Sequence, residues 1–253
     1  MLKSRPPGSP ELTTYNLSPE KTTKFLLSII ALLVLFNLLE RIIVYGLNTS
    51  GSAQFVSIYF NFDQEANFPS LYSALALGFS SYLLATIAGI RKNIKAKFAN
   101  YWKALSFIFL FLALDEACSI HELLIPIMKR VMNAKGLLYF PWVIPAFILV
   151  IIFLIAFRKF ILALPTKTKT LFVLSGIVYV AGALGMETVG GYIADNYGYS
   201  TVYGIAASIE ELLEMFGVVI FINALLHYLQ SQASELRFAL SFRQPAKQER
   251  VRL

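Results

Sequence analysis

Along most of the chain, apolar residues do not alternate with polar ones at either helical or strand period. They run on for twenty positions or more, with short polar breaks between runs. Six runs stand out: Phe25 to Gly46, Ser70 to Ile90, Ala104 to Met128, Leu137 to Phe157, Leu171 to Ile193 and Val202 to Leu229. A helix rises ~1.5 Å per residue, so ~20 apolar residues cross a hydrocarbon core of ~30 Å. A soluble helix carries one apolar stripe, whereas these runs are apolar nearly all round. The pattern predicts an all-α polytopic membrane protein, a bundle of six transmembrane helices.

The polar breaks divide the chain into a cytoplasmic tail at 1–24, disordered on its cluster Pro6, Pro7, Gly8, Ser9, Pro10, then a membrane domain at 25–230, then a basic juxtamembrane tail at 231–253. In that last tail Leu236, Phe238, Leu240 and Phe242 interleave with Arg237 and Arg243, which suits the inner leaflet. The polar leader and the first apolar run are both too long for a secretory signal, so the first span reads as a retained anchor. The loop Leu47 to Pro69 has no base and many aromatics, among them Phe55, Tyr59, Phe60, Phe62 and Phe68, and reads as an outer cap over an outward-opening cavity.

Composition agrees with the membrane assignment: 57% of the 253 residues are hydrophobic, 15% are charged, and the mean hydropathy is +0.64. The 22 Lys and Arg residues orient it. Eighteen fall before the first span, between the second and third, between the fourth and fifth, or after the sixth; only Lys129, Arg130 and Lys135 fall on the other side, and Arg41 lies inside a span. Cytoplasmic loops carry the excess of bases, so both termini are expected inside, in a plasma or inner membrane. The net charge of +7 follows from orientation and contact with anionic lipid, without nucleic acid as a partner. Asn48-Thr49-Ser50 fits a glycosylation acceptor, and the single Cys118 excludes an intramolecular disulfide.

Eight of the 15 acids fall within the predicted spans: Glu40, Asp115, Glu116, Glu122, Glu187, Glu210, Glu211 and Glu214. A carboxylate at a helix centre costs roughly 2.5 to 3.5 kcal/mol on insertion scales, so these must face the bundle interior, pair, bind a cation or hold a proton. At ~1.5 Å per residue, Glu40, Glu122 and Glu187 come ~22 to 27 Å from the inner surface; Glu210, Glu211 and Glu214 lie ~12 to 18 Å below the outer one, with Asp115 and Glu116 near the midplane. One site in the outer half is the simplest geometry. Along the third span Asp115, Ser119 and Glu122 line one face, and Pro126 leaves the carbonyl of Glu122 free as one more ligand.

Oxygen-rich donors with one histidine nearby suit a hard divalent cation, Mg, Mn or Ca more than Zn. The candidate metal ligands are Asp115, Glu116, His121, Glu122, Glu187, Glu210, Glu211 and Glu214, and no catalytic residue is assigned. His121 reads either as a ligand or as a histidine bonded to a neighbouring helix, and His227 as an interfacial residue. Arg41 is expected to pair with Glu187 or Glu122, and Ala181 with Gly185 to admit a neighbouring helix closely. Zinc-protease, nucleophile-elbow, nucleotide-loop and Cys-x-x-Cys motifs are lacking in the sequence, as are the paired Glu-x-x-His units of a di-iron bundle.

Three functions fit. The first is a metal-dependent membrane enzyme acting on a lipid-like substrate. The second is a cation- or proton-coupled transporter, for which two inverted three-helix halves and a homodimer would be expected. The third is an accessory subunit without chemistry. Asn223, a rare polar residue in the inner half, does not offset the outward bias of the acids.

Overall fold

The computed structural model describes residues 18–43 and 57–232. Eight α-helices account for most of them: α1 (Pro19–Arg41), α2 (Phe68–Asn93), α3 (Ala99–Cys118), α4 (Leu124–Val131), α5 (Val143–Leu162), α6 (Thr166–Val180), α7 (Glu187–Tyr197) and α8 (Thr201–Gln232). A π-helical segment, Ala181–Met186, joins α6 to α7, and short 3₁₀ turns, His121–Leu123 and Gly136–Leu138, flank α4. Five helical stretches are long and apolar enough to cross a membrane: α1, α2, α5, the run from α6 through α7, and α8. The chain is thus compatible with an integral membrane protein.

Expected boundaries hold best for α2 and α8 and shift elsewhere. The helix α1 begins at Pro19, so Pro19 to Lys24 are its first turn and a half rather than tail, and Ser231 and Gln232 likewise end α8. Pro19 sits in the first turn, where a missing N–H costs nothing. The fourth span starts six residues late, at Val143, because Gly136–Leu138 forms its own turn. The rest of both tails, the Asn48 triplet and the first part of the Leu47 to Pro69 loop, with Phe55, lie outside the described residues.

The largest correction concerns the third span. Its helix stops at Cys118, and Ser119 takes the left-handed conformation with φ +53°. The carboxylate of Asp115 accepts the backbone N–H of His121 at 2.8 Å, an alternative partner that draws that amide out of the helix ladder. Pro126 then falls in the first turn of α4, where no intrahelical donor is needed. It marks a new helix rather than a freed carbonyl within an old one.

The long helix α8 is the centre of the bundle, packed against α1, α2 and α6. One half of the bundle, built from the second half of α2, the start of α3, the end of α5, the start of α6 and the second half of α8, is filled with aromatics. There Trp102 meets Phe160 edge-on at 5.0 Å between ring centroids, and Phe109 stacks on Phe221 at 4.4 Å. Close packing of this kind, rather than release of water, holds helices together in a bilayer. Small residues set the closest approaches. A Cβ on Gly217 would stand 2.8 Å from the Tyr179 backbone nitrogen, and one on Gly182 would stand 2.8 Å from the Glu210 carbonyl. Ala181 and Gly185, the expected pair, are both exposed instead.

Candidate functional site

The carboxylates gather at the end of the bundle away from the aromatic half, where α1 ends, α2 begins, α3 breaks and α8 begins. The break after Cys118 puts Asp115 and Glu116 on the last turn of α3 and swings His121 back over them. His121 Nδ1 lies 3.1 Å from Asp115 Oδ2, and its Nε2 lies 3.4 Å from Glu65 Oε1. One imidazole therefore bridges two carboxylates. Asp115 sits in the last turn of α3, where the helix's terminal carbonyls already make the potential negative.

Glu65 comes from the loop before α2, and several contacts hold it there. Asn67 caps α2 reciprocally with Ser70, and its Nδ2 donates to the carbonyls of Asn61 at 2.7 Å and Gln64 at 2.6 Å. Phe62 is buried among Ile30, Leu33, Tyr72 and Met215, while Asn37 of α1 donates to the Phe60 carbonyl at 3.1 Å. This short loop brings Glu65 to the acidic end. Burial pushes the Glu65 carboxyl up from 4.5 to about 7, against the pull of His121 and with Glu122, Asp115 and Glu187 adding to the rise. Its second oxygen, Oε2, is buried with no hydrogen-bond partner among the described residues.

A second group lies on the other side of Trp142. The indole Nε1–H donates to Glu187 Oε1 at 2.6 Å, and the indole ring lies 4.6 Å from the imidazole of His121. Glu210 of α8 lies near Glu187 of α7, beside the point where Gly182 of the π-helical segment meets the Glu210 backbone, and Glu214 lies near Tyr179. Glu116 faces Glu211 and Glu214. Asp63, beside the Tyr203 hydroxyl, stands at the rim.

Of the predicted ligands, Asp115, Glu116, His121, Glu187, Glu210, Glu211 and Glu214 are thus brought to one end. Glu122 is not on a face with Asp115. It is exposed in the 3₁₀ turn, near enough to Asp63, Glu65 and Glu187 to be felt by them as charge. Arg41 does not pair with Glu187 or Glu122: its guanidinium donates to the Gly204 carbonyl at 2.6 Å and to Ser208 Oγ at 3.0 Å, tying α1 to α8. Glu40 is buried on α1, and Cys118 is exposed. At the opposite end Asn223 bonds Thr23 at 2.8 Å, and His227 lies 3.4 Å from Lys167 Nζ.

Sequence reasoning missed Asp63, Glu65, Trp142, Tyr179 and Tyr203. The first two carried a signal, as acids in a base-free, aromatic loop between spans; the aromatic residues carried none, since Trp and Tyr are ordinary at membrane interfaces. As placed, no three His, Cys, Asp or Glu side chains among the described residues already converge on one metal position.

A family model described as Domain of unknown function (DUF8692) matches residues 26–229. No curated protein and no solved structure matches the chain.

Proposed function

The chain belongs to that family, and we propose that it is a six-crossing membrane protein, both termini cytoplasmic, whose acidic end binds a cation and serves a reaction on a lipid-like substrate. The sixth crossing in this reading is α3. Its 20 residues give ~30 Å of helix, and its charges are Lys103 near one end and Asp115 and Glu116 at the other. The 18 to 3 distribution of bases supports the orientation, and with it the reading of the acids as facing outward.

One observation carries the cation. Seven carboxylates, Glu65, Asp115, Glu116, Glu187, Glu210, Glu211 and Glu214, share one end, and among the described residues the only ion partner they have is His121, because Arg41 is engaged by α8. Carboxylates held so close in an apolar setting cannot all stay ionised without protons or a cation between them.

A hard divalent ion such as Mg, Mn or Ca fits this donor chemistry, and Glu65 Oε2 is a buried oxygen with a lone pair to give. Asp115 and Glu65 would hold it after releasing His121, with Glu116, Glu211 and Glu214 behind them. Such an ion supplies a Lewis acid when bound. Protons are the part of Glu187 and Glu210, two carboxyls in reach of each other that pass one proton between them, and His121 orients Asp115. The aromatic packing of the other half supports a site reached from one side, which favours an enzyme over a transporter.

The test is the melting temperature of the purified chain. Mn, Mg or Ca should raise it at neutral pH, lowered pH should raise it without metal, Glu214→Gln should blunt the metal response and Glu187→Gln the pH response. A melting temperature that ignores metal and pH would leave the carboxylates as helix-to-helix ties only.

A further inference from the structure

A groove of about 670 Å³ runs between the turn Gly136–Leu138, the start of α5 and the start of α7. Leu137, Leu138, Ile144, Phe147 and Ile148 line it, and the polar members of its lining are Lys135 and Thr188. Leu137, Phe147 and Ile148 are exposed, so the groove opens to the surroundings of the helices. The Thr188 hydroxyl donates to the Leu184 carbonyl within its own helix. Lys135 has no carboxylate within ion-pair distance among the described residues, and the nearby Asp195 is engaged by the Gly136 N–H at 2.7 Å.

Charge distribution singles out the same place. Apart from the 18 bases of the other side and Arg41, which α8 engages, the chain has Lys129, Arg130 and Lys135, all within seven residues. Lys129 lies over the Tyr139 ring at 3.6 Å, which leaves Lys135 at the groove itself. An apolar channel open to acyl chains, with a lone ammonium in its lining, is complementary to one class of molecule: an amphiphile with an anionic head and an alkyl tail.

The groove also abuts the acids. Val143 and Thr188 in its wall are chain neighbours of Trp142 and Glu187, and Trp142 bonds Glu187 on one side while facing His121 on another. We infer that the groove binds an anionic glycerolipid, its acyl chain along Leu138, Ile144 and Ile148 and its phosphate against Lys135, which sets the headgroup beside the Trp142–Glu187 edge of the carboxylate cluster. In treating this lipid as the substrate the inference rests on the proposed function; occupancy of the groove does not.

The test uses the full chain reconstituted in phosphatidylcholine bilayers with a trace of phosphatidylglycerol or phosphatidylcholine carrying a photoactivatable acyl chain, with crosslinks mapped by mass spectrometry. The anionic probe should label residues 137–148 in preference to Ile151 and Ile155, two exposed positions further along α5. One basic residue near a membrane surface is worth ~1 kcal/mol, so Lys135→Gln should weaken capture of the anionic probe about fivefold and leave the zwitterionic probe unchanged. Ile148→Trp, at an exposed site that tolerates bulk, should block the groove to both.

Equal labelling by the two probes, labelling spread evenly along α5, or indifference to Lys135→Gln would each overturn the inference. The cation-dependent melting shift is read on the same samples. Its loss in the wild type refutes the acid-site reading alone, whereas even labelling with the shift intact refutes the groove alone.

Discussion

Gly217→Ala probes the contact on which the acidic end depends. On α8, a Cβ at this position would sit 2.8 Å from both the Cβ and the backbone nitrogen of Tyr179, and 2.9 Å from its Cα. Carbon atoms pack at roughly 3.5 to 4.0 Å, so the two helices must part by about 1 Å, because backbone on one side and helix on the other leave no flexible side chain to yield. Overpacking of that kind costs about 1 to 3 kcal/mol. Alanine's better helix propensity, worth up to about 1 kcal/mol in water, offsets little where each helix is already formed before the bundle assembles. For a chain of this size 1 kcal/mol moves the melting temperature about 2 to 4 °C, so a fall of about 2 to 12 °C is expected in detergent. Gly176→Ala on α6 is the matched control. A Cβ there meets nothing within 4 Å, and the variant should melt with the wild type or slightly above it. A functional readout accompanies the stability one, since Tyr179 lies near Glu214, and parting the helices should weaken the response to added cation. A Gly217→Ala protein as stable as Gly176→Ala would refute the close approach of α6 and α8.

Arg41→Met removes the guanidinium from the Gly204 carbonyl and Ser208, a loss of about 1.5 to 3 kcal/mol for hydrogen bonds to a charged donor, and Arg41→Lys should recover only part of it; unfolding curves equal to wild type would count against the α1–α8 tie. For Glu65, the carboxyl raised from 4.5 to about 7 means that the folded chain holds more protons than the unfolded one in that window, so stability falls as pH climbs through it. Glu65→Gln should flatten this part of the melting profile between those pH values, and an unchanged slope would remove Glu65 as its source. Topology is checked in a Cys118→Ala background: a cysteine placed at the exposed Tyr197 should react with an impermeant thiol reagent in intact cells, while one in the amino-terminal tail should not, and the reverse pattern would invert the orientation.

What the sequence determined by itself was the set of quantities that add up residue by residue. Transfer to hydrocarbon is such a sum, so the apolar runs located α2 and α8 to within a few residues, Ser70 to Ile90 against Phe68–Asn93 and Val202 to Leu229 against Thr201–Gln232. Rise per residue is another, because each turn of helix is set by its own backbone hydrogen bonds, and it put acids of α3, α7 and α8 in the middle and outer half of the membrane. Tertiary structure decided the partners. Whether helix continued past Cys118 depended on a carboxylate outcompeting a backbone carbonyl for the amide of His121, and hydropathy is blind to that contest. Glu65 entered the site through a loop held by Asn67 and Phe62, and Trp142 entered from the turn before α5; both are far in sequence from the histidine they meet. Arg41 shows the same limit most plainly. Its height matched the acids, but Gly204, 163 residues away, offered a carbonyl at 2.6 Å, and which group a buried charge finds is settled by the distance between helices, a quantity no single segment contains.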